Sequence, residues 1–191
     1  MALRVQTAPA SEPVTLPEMK LFLKVDGTAD DALITALIQA AREYGEVYTK
    51  RSFFTTIWEL TLDGFPSKGI ELPRPPLASV TSITYYDENG DSQVITPTDY
   101  FVDTKSEPGW VLPAFGLNWP TARDQANAVT IVYTSGFADV GDIPESIKTW
   151  LKVRVATLYE NRQAVVTGLA VAPMPRTFVD GLLDPYKVPY L

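Results

Sequence analysis

The sequence contains no cysteine and no histidine among its 191 residues. Without cysteine the chain can form neither a disulfide framework nor a thiolate metal site, and we expect it to be made and folded in a cytoplasm. Without histidine it lacks the side chain that serves most often as general base and as metal ligand. These absences count against catalysis and metal binding, and we assign no catalytic residue, no metal ligand and no cofactor.

Long apolar runs and clustered positive charge are also missing. No apolar stretch approaches the roughly 20 residues that span a bilayer, and the N-terminus lacks the apolar segment of a secretory signal. We therefore expect no membrane contact. The 16 Lys and Arg residues face 23 Asp and Glu residues, a net charge of −7, which argues against a protein that grips nucleic acid through its phosphates. The same charge does not exclude a protein past which nucleic acid must move without being bound.

Helical patterns occupy both ends of the chain. Thr15, Pro17 and Glu18 have the spacing of a capping box with proline in the first turn, which predicts a short helix to about Leu23. A longer helix is predicted over about 29–48, and another after Ile143. In the longer helix the predicted apolar stripe is Ile34, Leu37, Ile38, Ala41, Gly45 and Tyr48, with Asp31, Thr35, Gln39 and Arg42 facing away. Gly45 is interpreted as a close contact between helices.

Between these helices the apolar residues alternate with period two. Strands are predicted over 53–62, 78–87, 93–96 and 128–134, and Asn89-Gly90 is the strongest short hairpin signal. The acidic run 87–92 lacks the glycine and glutamate positions of a calcium-binding EF-hand loop, so a plain hairpin is preferred there. The pattern predicts a small antiparallel sandwich or barrel.

The predicted fold class is α+β. Residues 13–50 and 143–162 are expected to form a small helical bundle, and residues 51–142 an antiparallel β domain inserted between its two parts. Residues 163–191 are expected to form an extended C-terminal arm.

The C-terminal arm is unusually apolar and ends in "LLDPYKVPYL", whose prolines forbid a regular helix. Such a tail either buries itself in a partner protein or packs back on its own domain. Six arm residues are candidates for contact with another protein: Phe178, Leu182, Leu183, Pro185, Tyr186 and Tyr190. Trp119, which lies in a loop rich in Gly, Asn and Pro, is a further candidate interface residue.

Several stretches, in order, resemble the head–tail connector (adaptor) proteins of long-tailed phages and gene transfer agents. They include "PVTLPEMKLFLKVDGTADD", "WELTLDGFPSKGIELPRPPLASVTSITYYDENG", "VTIVYTSGF" and "LLDPYK", and the resemblance extends from about Pro13 to Tyr186. It assigns the arm motif to residues 182–187, whereas the final "VPYL" is not part of the family pattern.

The resemblance implies a structural, non-enzymatic protein of the virion neck, assembled in the host bacterial cytoplasm. It implies a ring, a dodecamer, in which the helical body forms the ring and the arm reaches the portal protein. The other side of the ring would receive a head-completion (stopper) or tail protein, and double-stranded DNA would pass through the lumen without specific binding.

Two other functional classes remain open from the residues alone. One is a β-sandwich binding module for carbohydrate or protein, with the helices as its mount. The other is a hydrolase that uses a carboxylate pair such as Asp139 and Asp142. A connector should form rings and bind a portal, whereas a binding module should remain a monomer.

Overall fold

The computed structural model describes residues 1–161 and 179–189. The chain divides into two compact units. The first, here called the β unit, comprises Met1–Ala10 and Phe54–Ala138; the second, the helical unit, comprises Ser11–Phe53 and Asp139–Leu191. The predicted β domain, 51–142, did not include the first ten residues.

Within residues 11–53 and 139–161, the helical unit contains the α-helices α1 (Leu16–Leu23), α2 (Asp31–Thr49) and α3 (Glu145–Glu160). Each lies where the sequence predicts a helix, and α3 packs against α2. Their buried side chains include Met19, Ile34, Ile38, Ile147, Trp150 and Leu151. The N- and C-terminal parts of the chain therefore share one core.

The predicted capping box fixes the start of α1. The Glu18 backbone N–H donates to the Thr15 hydroxyl, and the Thr15 backbone N–H donates in return to the Glu18 carboxylate at 2.8 Å. Donation from the Thr15 backbone and hydroxyl groups lowers the pKa of Glu18, because these bonds favour the charged carboxylate. Two helix N–H groups that lack helical partners are satisfied in this way.

Gly45 is a point of close approach between α2 and its surroundings. A Cβ atom at this position would lie 2.6 Å from Cε2 of Phe53 and 3.0 Å from Cζ3 of Trp150. Only glycine therefore lets Trp150 of α3 approach α2 this closely. The interpretation of Gly45 as a close helix contact is confirmed.

The prediction for Arg42 was wrong, since the side chain does not face away from the core. It is 6% exposed, with Nε 2.7 Å from Oε2 of Glu12 and Nη1 2.9 Å from Oε2 of Glu46. Burial by itself lowers the pKa of Arg42, but the two carboxylates raise it above its ordinary value. A buried guanidinium is tolerated because paired carboxylates replace its water shell.

The β unit contains eight strands in two antiparallel sheets. The strands are β1 (Ala2–Thr7), β2 (Thr56–Leu62), β3 (Ile70–Leu72), β4 (Leu77–Tyr86), β5 (Ser92–Val94), β6 (Tyr100–Asp103), β7 (Gly109–Pro113) and β8 (Val129–Ser135). The five-stranded sheet has the order β1-β2-β8-β4-β5, and the three-stranded sheet has the order β3-β7-β6. Side chains from both sheets form one core, among them Leu60, Leu72, Ile83, Val111 and Ile131. This arrangement confirms the α+β class.

The predicted hairpin joins β4 to β5. Gly90 has φ of +91°, a conformation that glycine adopts without strain. The Asp87 carboxylate accepts hydrogen bonds from the backbone N–H groups of Asn89 and Asp91, each at 3.0 Å. The side-chain hydrogen bond from Gln93 is the largest cause of the lowered pKa of Asp87, and the two backbone donors lower this pKa further. The carboxylate thus stabilises the turn.

Among the described residues, the helices are too short or too polar to cross a membrane.

Candidate functional site

The C-terminal segment (residues 179–189) is seated on the helical unit. Leu183 is 0% exposed and is the only large side chain of this segment that is fully buried. The Val188 backbone N–H donates to the carbonyl of Thr49 at the end of α2, at 3.0 Å. A single turn of 3-10 helix, Asp184–Tyr186, lies between these two contacts. The segment is therefore held at two points.

Side chains of the helical unit bond the same segment from several sides. The Arg51 guanidinium donates to the carbonyl of Tyr186, and the Ser146 hydroxyl donates to the Tyr186 hydroxyl at 2.9 Å. The Trp150 indole N–H donates to the Asp180 carboxylate at 3.1 Å. The donors come from α3 and from the end of α2, so the segment bridges the two helices.

An exposed ion pair is a further contact of the C-terminal segment. The Lys187 ammonium lies 2.7 Å from Oδ1 of Asp184 and 4.1 Å from the ring centroid of Tyr48. The hydrogen bond with Lys187 lowers the pKa of Asp184, and the same bond raises the pKa of Lys187. Because both groups are exposed, water screens this pair and it adds little to docking.

The structure separates the predicted arm residues into three groups. Leu183 is buried, Leu182 and Tyr186 are half-buried, and Pro185 is exposed. Phe178 and Tyr190 lie outside the described residues. Residues 179–189 thus follow the second interpretation of the tail, packing on the chain's own unit. In this arrangement Leu183 is fully buried within its own unit, and its contact with another protein stays a prediction.

Trp119 lies in the β unit, whereas the C-terminal segment belongs to the helical unit. Its indole N–H donates to the carbonyl of Lys68 at 3.2 Å, and its ring stacks on Phe65 with centroids 5.1 Å apart. One side of the ring lines a cleft of about 270 Å³ together with Tyr85, Ile95, Leu117 and other residues. Phe115, in the preceding turn, is fully exposed. The loop therefore offers apolar surface, although Trp119 itself is half-buried.

The sequence reasoning missed an exposed apolar row on α2. This row, here called the outer stripe, consists of Leu33, Leu37, Ala40, Tyr44 and Val47. Tyr44 is 47% exposed and Val47 is 65% exposed. The signal was present in the sequence as a second set of apolar positions alternately four and three residues apart. On α1, Leu21 is 82% exposed and Phe22 is 47% exposed.

Within residues 1–161 and 179–189, no three acidic side chains are grouped as they would be to hold a metal ion. The features that stand out are instead apolar and suited to contact with other proteins.

Comparison with known proteins gives two kinds of match. The family model described as "Phage gp6-like head-tail connector protein" matches residues 13–100, which include α1, α2 and strands β2–β5. The predicted resemblance to head–tail connector proteins is confirmed over these residues. None of the curated proteins matches the chain.

Three solved structures contain chains with the same fold. A chain of "Neck of empty GTA particle computed with C6 symmetry" has 21% identity and a TM-score of 0.82. A chain of "Virion of native gene transfer agent (GTA) particle" has 21% identity and a TM-score of 0.80. A chain of "Neck of native GTA particle computed with C12 symmetry" has 19% identity and a TM-score of 0.78. Each match covers 100% of this chain and 97% of the other.

Proposed function

We propose that this chain is a structural head–tail connector (adaptor) subunit that joins the portal of a phage-like particle to its tail or head-completion proteins. One observation carries the proposal: residues 13–100 match the head–tail connector family. The fold of the whole chain, shared with chains of gene transfer agent necks, supports it. The chain would act in the virion neck after assembly in the host cytoplasm, and it would have no enzymatic activity.

The functional form that we propose is a ring of twelve copies. Chains of this fold occur in neck structures computed with C12 and C6 symmetry, and both symmetries are compatible with twelve subunits. A ring closes when one head-to-tail contact repeats around an axis. The predicted helical bundle, residues 13–50 and 143–162, would supply that contact.

The C-terminal arm, 163–191, would dock on the portal. Because Leu183 anchors residues 179–189 to the subunit's own helical unit, the portal would be contacted by the surface of this segment that stays exposed. Pro185 would offer the portal an exposed side chain, and Leu182 and Tyr186, which are half-buried, would offer their exposed parts. Phe178 and Tyr190 stay proposed contacts with the portal. Twelve arms on a symmetric partner bind far more tightly than one, because every docking event after the first is intramolecular.

The charge of the chain fits passage of DNA through the ring. The β unit holds ten Asp and Glu residues against five Lys and Arg residues, so it carries most of the net charge of −7. Twelve copies would carry about −84 in total. A lumen that shows part of this charge repels phosphates and lets the duplex slide without specific binding.

The test is to mix the purified chain with its cognate portal protein and to image the product by electron microscopy. A ring seated on the portal supports the proposal. A monomer that does not bind the portal but binds glycans would instead support the alternative, a β-sandwich binding module. The ligand site of such a module would be sought in the cleft beside Trp119.

A further inference from the structure

We propose that the outer stripe of α2 receives Leu21 and Phe22 of α1 from a second copy of this chain. The inference rests on the proposed function, because it assigns the contact that repeats around the ring. It commits to one occupant of an exposed helix face, and three observations support that choice.

The first observation is that α2 has two apolar faces. The inner face, with Ile34, Ile38 and Ala41, is buried in the helical unit. The outer stripe repeats at intervals of four and three residues, the spacing of a seam between two helices. A helix that packed only within its own unit would carry polar residues at these positions. Tyr44, 47% exposed, keeps one side on its own copy, where its ring stacks on Trp150 with centroids 6.1 Å apart. The stripe residue that its own copy leaves most exposed is Val47, at 65%.

The second observation is that α1 and the outer stripe lie on different sides of α2. The ammonium of Lys20 on α1 lies 2.6 Å from Oδ1 of Asp31, at the start of α2. Asp31 and Ala40 are about two and a half turns apart on a helix of 3.6 residues per turn, so they point in opposite directions.

It follows that the outward side chains of α1 do not face the outer stripe of the same copy. If one apolar face of a subunit binds the other apolar face of the next copy, the contact is head-to-tail. Repetition of this contact closes a ring when the rotation between neighbouring copies divides a full turn evenly.

The third observation is complementary charge beside the two faces. Glu43 lies beside Tyr44, and its carboxylate is 57% exposed. Lys24 follows α1 directly after Phe22 and Leu23, is exposed, and forms no ion pair with any described residue. Bringing α1 of one copy onto the outer stripe of the next would pair opposite charges at the edge of the contact. Such pairs set orientation and register more than affinity.

The size of the faces predicts weak pairwise binding. Stable interfaces bury about 800 Å² per partner, whereas an aromatic side chain contributes about 150–250 Å² when fully buried. Phe22 and Tyr44 are each about half exposed, at 47%, so the two faces form an apolar centre rather than a full interface. A pair of copies should therefore dissociate readily, and closure of the ring should supply the stability.

The test uses two variants that each remove one face. Val47→Glu places a charge in the outer stripe, and Leu21→Glu places one on α1. Native mass spectrometry of wild type should show concentration-dependent oligomers, and each variant alone should remain a monomer. An equimolar mixture should give a heterodimer and nothing larger, because only one intact face remains on each copy. An interface made by the same patch on both copies would not give this result.

Thr35→Glu, on the exposed polar side of α2, is the matched control and should assemble as wild type does. Circular dichroism melts, taken at a dilution at which wild type is also a monomer, check that every variant is folded. Under this condition Leu21→Glu and Val47→Glu should melt as wild type does. Rings that survive either substitution, or a mixture that stays monomeric, overturn the inference and leave the proposed function standing. A wild type that is still a monomer at millimolar concentration also overturns the inference. So does a loss of thermal stability in Val47→Glu, since the stripe would then be covered by its own chain. Portal binding, measured in parallel, tests the proposed function separately.

Discussion

Replacing Leu183 by alanine should release the C-terminal segment (residues 179–189) from the helical unit. Leu183 is 0% exposed, and the other bonds of the segment are hydrogen bonds and an exposed ion pair. Removing a buried leucine side chain costs about 2–5 kcal/mol, because transfer energy is lost and a cavity remains. At about 1.4 kcal/mol per factor of ten, the ratio of docked to released segment should fall about 30-fold to 4,000-fold.

Hydrogen exchange at the Val188 amide measures this ratio directly. That N–H donates to the carbonyl of Thr49 only while the segment is docked. In Leu183→Ala its exchange should accelerate by the same factor, up to the rate of an unprotected amide. The amide of Ile38, buried within α2, should keep its protection, which shows that the change is local.

Leu182→Ala is the matched control, since this leucine precedes Leu183 and is only half-buried. It should change the exchange of the Val188 amide much less. If Leu183→Ala leaves the Val188 amide as protected as in wild type, Leu183 does not anchor the segment. If the amide is unprotected already in wild type, the segment is not docked on its own subunit.

Three further predictions concern the helical unit. Gly45→Ala should lower the free energy of unfolding by about 1–3 kcal/mol in urea titrations, because its Cβ would overlap Phe53. Arg42→Ala should cost about 3–5 kcal/mol in the same assay, since it leaves the Glu46 carboxylate buried without its cation. The lowered pKa of Glu18 implies stability that is full above the ordinary Glu pKa of 4.5 and is lost as pH falls through the lower value in the folded state. Melting curves from pH 7 to pH 3 should therefore show a smaller acid loss in Glu18→Gln.

Control variants distinguish these specific effects from a general sensitivity of the protein's stability to substitution. Gly141→Ala, at a position with nothing within 4 Å of the added Cβ, should change stability little. An unchanged urea midpoint in Gly45→Ala would show that Phe53 and Trp150 can move aside. For Arg42 the contradicting result is a stability loss of under 1 kcal/mol, and for Glu18 it is an unchanged acid profile in the glutamine variant.

Local sequence signals predicted the regular parts of the fold well. The capping box at Thr15 and Glu18 lies within four residues of chain, so its geometry follows from spacing alone. The alternation of Val129, Ile131 and Tyr133 correctly predicted a buried strand face, since all three are fully buried. In both cases the physical cause lies next to its signal in the chain.

Features that depend on distant partners escaped prediction. Strand β1 is almost entirely exposed and is held by pairing with β2, more than fifty residues away, so burial leaves no strong pattern in its sequence. Arg42 appears polar in a helical projection, and only the fold brings Glu12 to it. The short strands β3, β6 and β7 pair mainly with one another and contain too few residues to show a period.

The candidate surfaces were predicted only in outline. The apolar character of the C-terminal arm is visible in its composition, but its seat is built from Arg51, Ser146 and Trp150, which the sequence does not connect with it. The outer stripe was not recognised in the sequence, because the apolar pattern of a helix with two apolar faces resembles that of a helix with one broad apolar face. Leu37 was assigned to the core, whereas the structure leaves it partly exposed.

The most direct measurement is the mass and shape of the complex formed with the cognate portal, by native mass spectrometry and cryo-electron microscopy. We expect a closed ring of twelve copies, each of 21.1 kDa, seated on the portal with its C-terminal arms in contact with it. A 21.1 kDa monomer that neither closes into a ring nor binds the portal would contradict the proposed connector function.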